Sequence, residues 1–186
     1  MNRRDIVRGA MLLAVGVVAL PYGRAAADDI SPLYILPRAA EAGDLDTVRK
    51  MLARGDSADG QDDTGRTGLS YAAGGGNLEL ANILLGHSAN ADVRDNSGNA
   101  PLHWAAQNGR TDLIRRLAEA KAVVDIQNQQ GITPLMLAIG HNRRDAIRAL
   151  LDAGADVTKT DYTGRDALGW AAGKDAIVAM LKQKTR

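Results

Sequence analysis

Cysteine is absent from this 186-residue chain, which excludes disulfides and thiolate chemistry. Phenylalanine is absent as well, and the aromatics amount to two Trp and four Tyr. A core with so few rings must close through aliphatic side chains and alanines packed at short range. The three histidines, His87, His103 and His141, stand apart, and no Cys/His cluster, HExxH, phosphate loop or nucleophile elbow occurs. The expectation is therefore no catalytic residue, no cofactor and no metal. Charge is nearly balanced, at 23 basic against 22 acidic residues. The apolar stretch Gly9 to Leu20 is shorter than the roughly 18–20 residues a membrane span needs.

What the chain does contain is a period. The segment GNAPLHWAAQNG opens at Gly98, and its glycine recurs at Gly65, Gly98, Gly131 and Gly164, 33 residues apart each time. The same leucine follows (Leu69, Leu102, Leu135, Leu168), then the same alanine (Ala72, Ala105, Ala138, Ala171). On these residues the chain resembles the ankyrin-repeat family, whose T-P-L-H-x-A pattern opens a helix pair at this repeat length. The resemblance runs from about residue 30 to 186. It implies an all-α solenoid of about five helix-turn-helix units joined by hairpin-like loops. The units are read as 30–61, 62–94, 95–127, 128–160 and 161–186. The first is degenerate, with Leu36, Ala39, Ala40 and Gly43 in the shared columns. Aligning Asp175, Ile177, Met180 and Leu181 of the last on Asp145, Ile147, Leu150 and Leu151 requires a three-residue deletion at Gly173-Lys174.

Ahead of the repeats, Arg3-Arg4-Asp5-Ile6-Val7-Arg8, the apolar centre and Ala25-Ala26-Ala27 read as a signal peptide, of twin-arginine type and cleaved after Ala27. Its removal takes away four arginines and one aspartate, leaving 19 basic and 21 acidic residues and a net charge of −2. A chain so balanced offers no basic surface for nucleic acid or anionic lipid. The expected location is the periplasm, with no stable membrane insertion after cleavage and a monomeric state.

Within each unit the signals are local. Asp or Asn stands three residues before each glycine, as a turn requires. Thr67 and Thr133 are placed to cap, Pro101 and Pro134 to start a helix, and Gly76, Gly109 and Asn142 to end one. The run Gly74-Gly75-Gly76 lacks a preceding strand and a following Lys-Ser/Thr, so it reads as a helix end. His103, in the H column of the motif, is implied by the resemblance to hydrogen-bond between neighbouring repeats.

Two sets of residues are candidates for contact with a partner. Tyr71, Trp104 and Trp170 share a column with Arg38 and Leu137, two residues beyond the core leucine. Stacking would align them in one stripe, read here as facing the concave side, with packing beneath the turns as the alternative role. Turn tips and first-helix ends add Arg66, Asn99, Gln107, Asn108, Ile132, His141, Tyr162 and Arg165 as selectivity residues. The resemblance implies a non-enzymatic protein-binding module presenting a groove to a protein partner. Export points to an envelope protein, and similar exported bacterial proteins are associated with oxidative-stress defence. The alternatives are an immunity protein against a periplasmic toxin, and an enzyme with a carboxylate site outside known motifs.

Overall fold

The computed structural model describes residues 32–184. The signal peptide and its cleavage point at residues 1–27 lie outside these described residues. Ten helices lie within them, in five pairs. They are α1 (Pro32–Ala42) with α2 (Leu45–Ala53), α3 (Gly68–Gly75) with α4 (Leu78–Gly86), and α5 (Pro101–Asn108) with α6 (Thr111–Glu119). The chain ends with α7 (Pro134–Gly140) beside α8 (Arg144–Asp152) and α9 (Ala167–Trp170) beside α10 (Asp175–Lys184). The first members touch in series, α1 on α3, α3 on α5, α5 on α7 and α7 on α9. The second members do the same along α4, α6, α8 and α10. No strand forms among the described residues, where the connections carry an isolated antiparallel bridge from Gln61 to Thr67. This is the all-α stacked-pair architecture that the ankyrin resemblance implied.

Helices of seven to nine residues are too short to be stable alone, so their ends must be tied. The Thr67 and Thr133 hydroxyls accept from Ser70 N–H (3.2 Å) and Met136 N–H (3.3 Å). Asp166 caps α9 by accepting from Gly169 N–H at 2.8 Å, and Asn77 caps α4 through Leu80 N–H at 3.0 Å. At the other end, Gly76 (φ +85°), Gly109 (φ +71°) and Asn142 (φ +56°) turn left-handed where the sequence places them. The triple-glycine run is thus the end of α3. In α1, Pro37 falls inside the helix, which begins at Pro32.

Leu36, Leu69, Leu102 and Leu135 are each at most 1% exposed and belong to one continuous core. Burying such a side chain stabilises by about 1.5–3 kcal/mol. Leu168, read from sequence as the next core leucine, is instead 41% exposed. No repeat follows to cover it among the described residues. The shortening of the last unit is also smaller than the alignment requires. Left-handed Gly173 stands 31 residues after left-handed Asn142, a loss of two residues from the 33-residue period rather than three. The loss falls at the end of α9, which spans four residues.

Candidate functional site

The second to fifth repeats each open with a hairpin tip built on one side chain. Asp62 Oδ1 accepts from the N–H groups of Thr64 (2.9 Å) and Arg66 (3.0 Å). Asp95, Asn128 and Asp161 hold the same pair of N–H groups in their own tips. Each tip is then bonded to the one before it. Asn96 N–H donates to the Thr64 carbonyl (3.0 Å), Gln129 N–H to that of Ser97 (3.2 Å), and Tyr162 N–H to that of Gln130 (3.1 Å). The tips therefore form a fixed row, with Arg66, Asn99, Ile132 and Arg165 at equivalent positions along it.

The second oxygen of each turn carboxylate explains the aromatic column. Asp62 Oδ2 accepts from the Tyr71 hydroxyl (2.6 Å), Asp95 Oδ2 from Trp104 Nε1–H (3.0 Å), and Asp161 Oδ2 from Trp170 Nε1–H (2.9 Å). The column position nine residues after Asn128 is Leu137, which has no donor to offer. There the turn residue is an amide, and it turns to its neighbour, Asn128 Nδ2–H donating to Asn99 Oδ1 at 2.9 Å. Tyr71, Trp104 and Trp170 are half-buried and tie each hairpin to the helix behind it. These bonds are the packing beneath the turns that the sequence reading held as the alternative role.

Ionisation follows these bonds. Burial pushes the Asp62 carboxyl up, but hydrogen bonds from Tyr71, Thr64 and two backbone N–H groups outweigh it and hold the group below its ordinary value. Burial first, then the bond to Asp62, push the Tyr71 phenol up to about 12. The Thr163 hydroxyl, with further bonds from Arg165 N–H and Trp170, holds Asp161 far below the carboxylate range. The Thr47 and Thr158 hydroxyls likewise hold the Asp44 and Asp156 carboxyls below their ordinary value. A general acid working near neutrality needs the opposite.

Three cation–ring contacts mark the row. The Arg66 guanidinium lies 3.6 Å from the Trp104 ring centre and 5.6 Å from that of Tyr71. Arg165 lies 4.6 Å from Trp170. The two arginines differ in what else they hold. Arg165 is bound to Asp161 through Nη2 (3.1 Å) and Nε (3.2 Å), and to the Thr163 hydroxyl at 3.0 Å.

The other candidates occupy the ends of the first helices and the far tip. Gln107 Nε2 and His141 Nε2 meet at 3.5 Å, with the His141 Nδ1 bonded to the Leu137 carbonyl at 3.0 Å. Asn108 Nδ2–H donates to the Trp104 carbonyl at 3.0 Å. Tyr162 is 73% exposed, against Gly131 of the preceding tip. The structure thus brings Arg66 together with Tyr71 and Trp104, Gln107 with His141, and Arg165 with Trp170. Asn99 and Ile132 stand beside each other in the tip row. His103 is fully buried, Nδ1 accepting from Ala100 N–H (3.1 Å) and Nε2–H donating to the Ile132 carbonyl (3.0 Å). It bonds between repeats, as the resemblance implied.

Two further sets of inter-repeat ties are absent from the sequence reading. Asp59, Asp92 and Asp125 each accept from a backbone N–H of the next loop, those of Asn90, Val123 and Asp156, at 2.8–2.9 Å. Arg110, Arg143 and Lys174 each reach back to a carbonyl ending the previous first helix, Gly74, Gln107 and Ile139. The 33-residue spacing of the three aspartates was the available signal. On the second helices, by contrast, charges are paired side to side, Arg115 with Asp112 and Arg148 with Asp145. Among the described residues no group of three or more His, Cys, Asp or Glu is placed to hold a metal ion. No described helix is long and apolar enough to cross a membrane.

Compared with known proteins, the chain matches a family model described as ankyrin repeats (3 copies) over residues 36–128 and 112–185. No curated protein matches it.

Proposed function

The chain belongs to the ankyrin-repeat family, a protein–protein interaction module, and from that premise we propose that it binds an envelope protein through its hairpin-tip row after export to the periplasm. The observation that carries this reading is the contrast between its surfaces. Loop aspartates, helix-end cations and second-helix ion pairs are spent inside the molecule. The tips keep exposed and half-exposed groups of mixed chemistry, Asn99, Ile132 and Tyr162, on a backbone already fixed by bonds from tip to tip. A preformed surface loses little ordering entropy on docking. The turn carboxylates Asp62 and Asp161 are spent on hydrogen bonds within their hairpins, which supports a binding role over acid–base catalysis. The arginine pair and apolar centre of residues 1–27 support export, and a redox or stress-defence partner is the proposal within that compartment.

The test avoids the aromatics, since removing Trp104 or Tyr71 would loosen the hairpins themselves. Placing a charge at Ile132 leaves the turn bonds in place. The Ile132→Arg chain is expected to recover its envelope partner at least about tenfold less well than the wild type, the size of loss a central contact gives. An Arg115→Glu chain, altered on a second helix, should recover it undiminished. Equal recovery by all three chains refutes docking on the tips.

A further inference from the structure

Arg66 is the one arginine of the tip row whose fork has nothing to hold. Its guanidinium lies over the Trp104 ring, 3.6 Å from the ring centre, and beside Tyr71, yet its side chain enters no hydrogen bond or ion pair among the described residues. The carboxylates of its own and the next hairpin, Asp62 and Asp95, make no bond to it. Both oxygens of Asp62 are committed to turn N–H groups and to Tyr71, and both of Asp95 to its turn and to Trp104. Arg165 provides the internal comparison. It occupies the same position three repeats on, stacks on its own tryptophan, and is bound to Asp161 and Thr163. Stacking covers the face of a guanidinium and leaves its in-plane N–H donors outward, in the fork geometry that fits a carboxylate. The next tip adds a second donor. Asn99 Oδ1 accepts from Asn128, and its Nδ2 amide donates to none of the described residues.

We infer that Arg66, held rigid by Trp104 and Tyr71 and assisted by Asn99, receives a side-chain carboxylate from an acidic segment of the protein partner. The inference rests on the tip-row reading above and supplies its chemistry. A stacked, half-buried guanidinium has already lost much of its rotamer freedom, so pairing costs less than at a free surface arginine. It also fixes where along the row the acidic segment lies: at the second and third repeats, not at the fifth.

Fluorescence anisotropy of the full chain with labelled oligoglutamate, oligoglutamine and oligolysine at low salt tests this. Oligoglutamate should bind, and more tightly than the other two. Arg66→Gln should weaken it about tenfold, and Arg66→Lys, which keeps the charge but loses the fork, by about half as much on a logarithmic scale. Arg144→Gln, which removes an exposed arginine of α8, should leave it within about twofold. Matching thermal melts for Arg66→Lys and wild type keep a loss from being one of folding. The inference is overturned if oligoglutamate does not bind, if oligoglutamine or oligolysine binds as well, if Arg144→Gln weakens binding as much as Arg66→Gln, or if Arg66→Lys binds like wild type. Any of these, with partner recovery still lost in Ile132→Arg, removes the acidic segment and leaves the tip-row reading standing.

Discussion

Replacing Gly98 by alanine is expected to cost about 3–6 kcal/mol of stability, against about 1–2 kcal/mol for the same change at Gly164. The two glycines share a backbone conformation, φ +80° and φ +82°, so the left-handed strain of roughly 1–2 kcal/mol is common to both. Their surroundings differ. A Cβ at Gly98 would stand 2.7 Å from Gln129 N and 3.2 Å from Asn128 C, both backbone atoms of the next hairpin. At Gly164 nothing lies within 4 Å. The methyl group at Gly98 must push the fourth repeat's tip away and stretch the Gln129-to-Ser97 bond, adding overpacking of about 1–3 kcal/mol and a weakened hydrogen bond of about 1 kcal/mol. Urea unfolding of the two variants beside wild type measures the difference directly. Equal destabilisation would mean that the hairpins are not pressed together.

Stability should also fall as pH drops from about 6.5 to about 4, with a slope carried by His103. Burial first, opposed by its bond to Ile132, lowers the imidazole pKa from 6.5 to about 4. The unfolded chain then binds a proton across that interval and the folded chain does not, so stability is full above pH 6.5 and is lost toward pH 4. At 1.4 kcal/mol per unit the loss reaches about 3 kcal/mol. The geometry explains the resistance: Ala100 N–H points at Nδ1, the nitrogen that a second proton would occupy. The carboxylates act in a separate window. Asp44, Asp62, Asp156 and Asp161 have folded values below 3.8, so their contribution is present above that pH and declines only beneath it. His103→Gln should unfold more easily at neutral pH and show a flat profile between pH 6.5 and 4. A wild-type chain equally stable at pH 7 and pH 4.5 would contradict the buried neutral imidazole.

Local chemistry made much of this fold legible from sequence alone. Thr67, Thr133 and Asp166 cap because a short side-chain oxygen at a helix start finds an N–H wherever the helix lies. Gly76, Gly109 and Asn142 end helices for an equally local reason. The 33-residue period then forces stacking, because helices this short are stable only against a neighbour. What stayed hidden depends on two repeats at once, or on the end of the row. Leu168 carries the core pattern, yet burial in a solenoid comes from the next repeat, and a column of leucines does not say which is last. The aromatic column was visible as a column, but its role lies in pairs nine residues apart. Asp62 with Tyr71, Asp95 with Trp104 and Asp161 with Trp170 alternate with Asn128 and Leu137, a covariation inside one chain that reading down columns passes over. Arg66 and Arg165 look alike in sequence, and only geometry separates the saturated fork from the open one. The export segment, residues 1–27, stays a reading of sequence.

The most direct measurement is photo-crosslinking in the producing cell from a benzoylphenylalanine placed at Asn99, at Ile132 or at Glu119, the last exposed at the end of α6. Docking on the hairpin tips predicts one crosslinked partner band from positions 99 and 132 and none from 119. A band from position 119 alone, or bands of equal strength from all three, would contradict it.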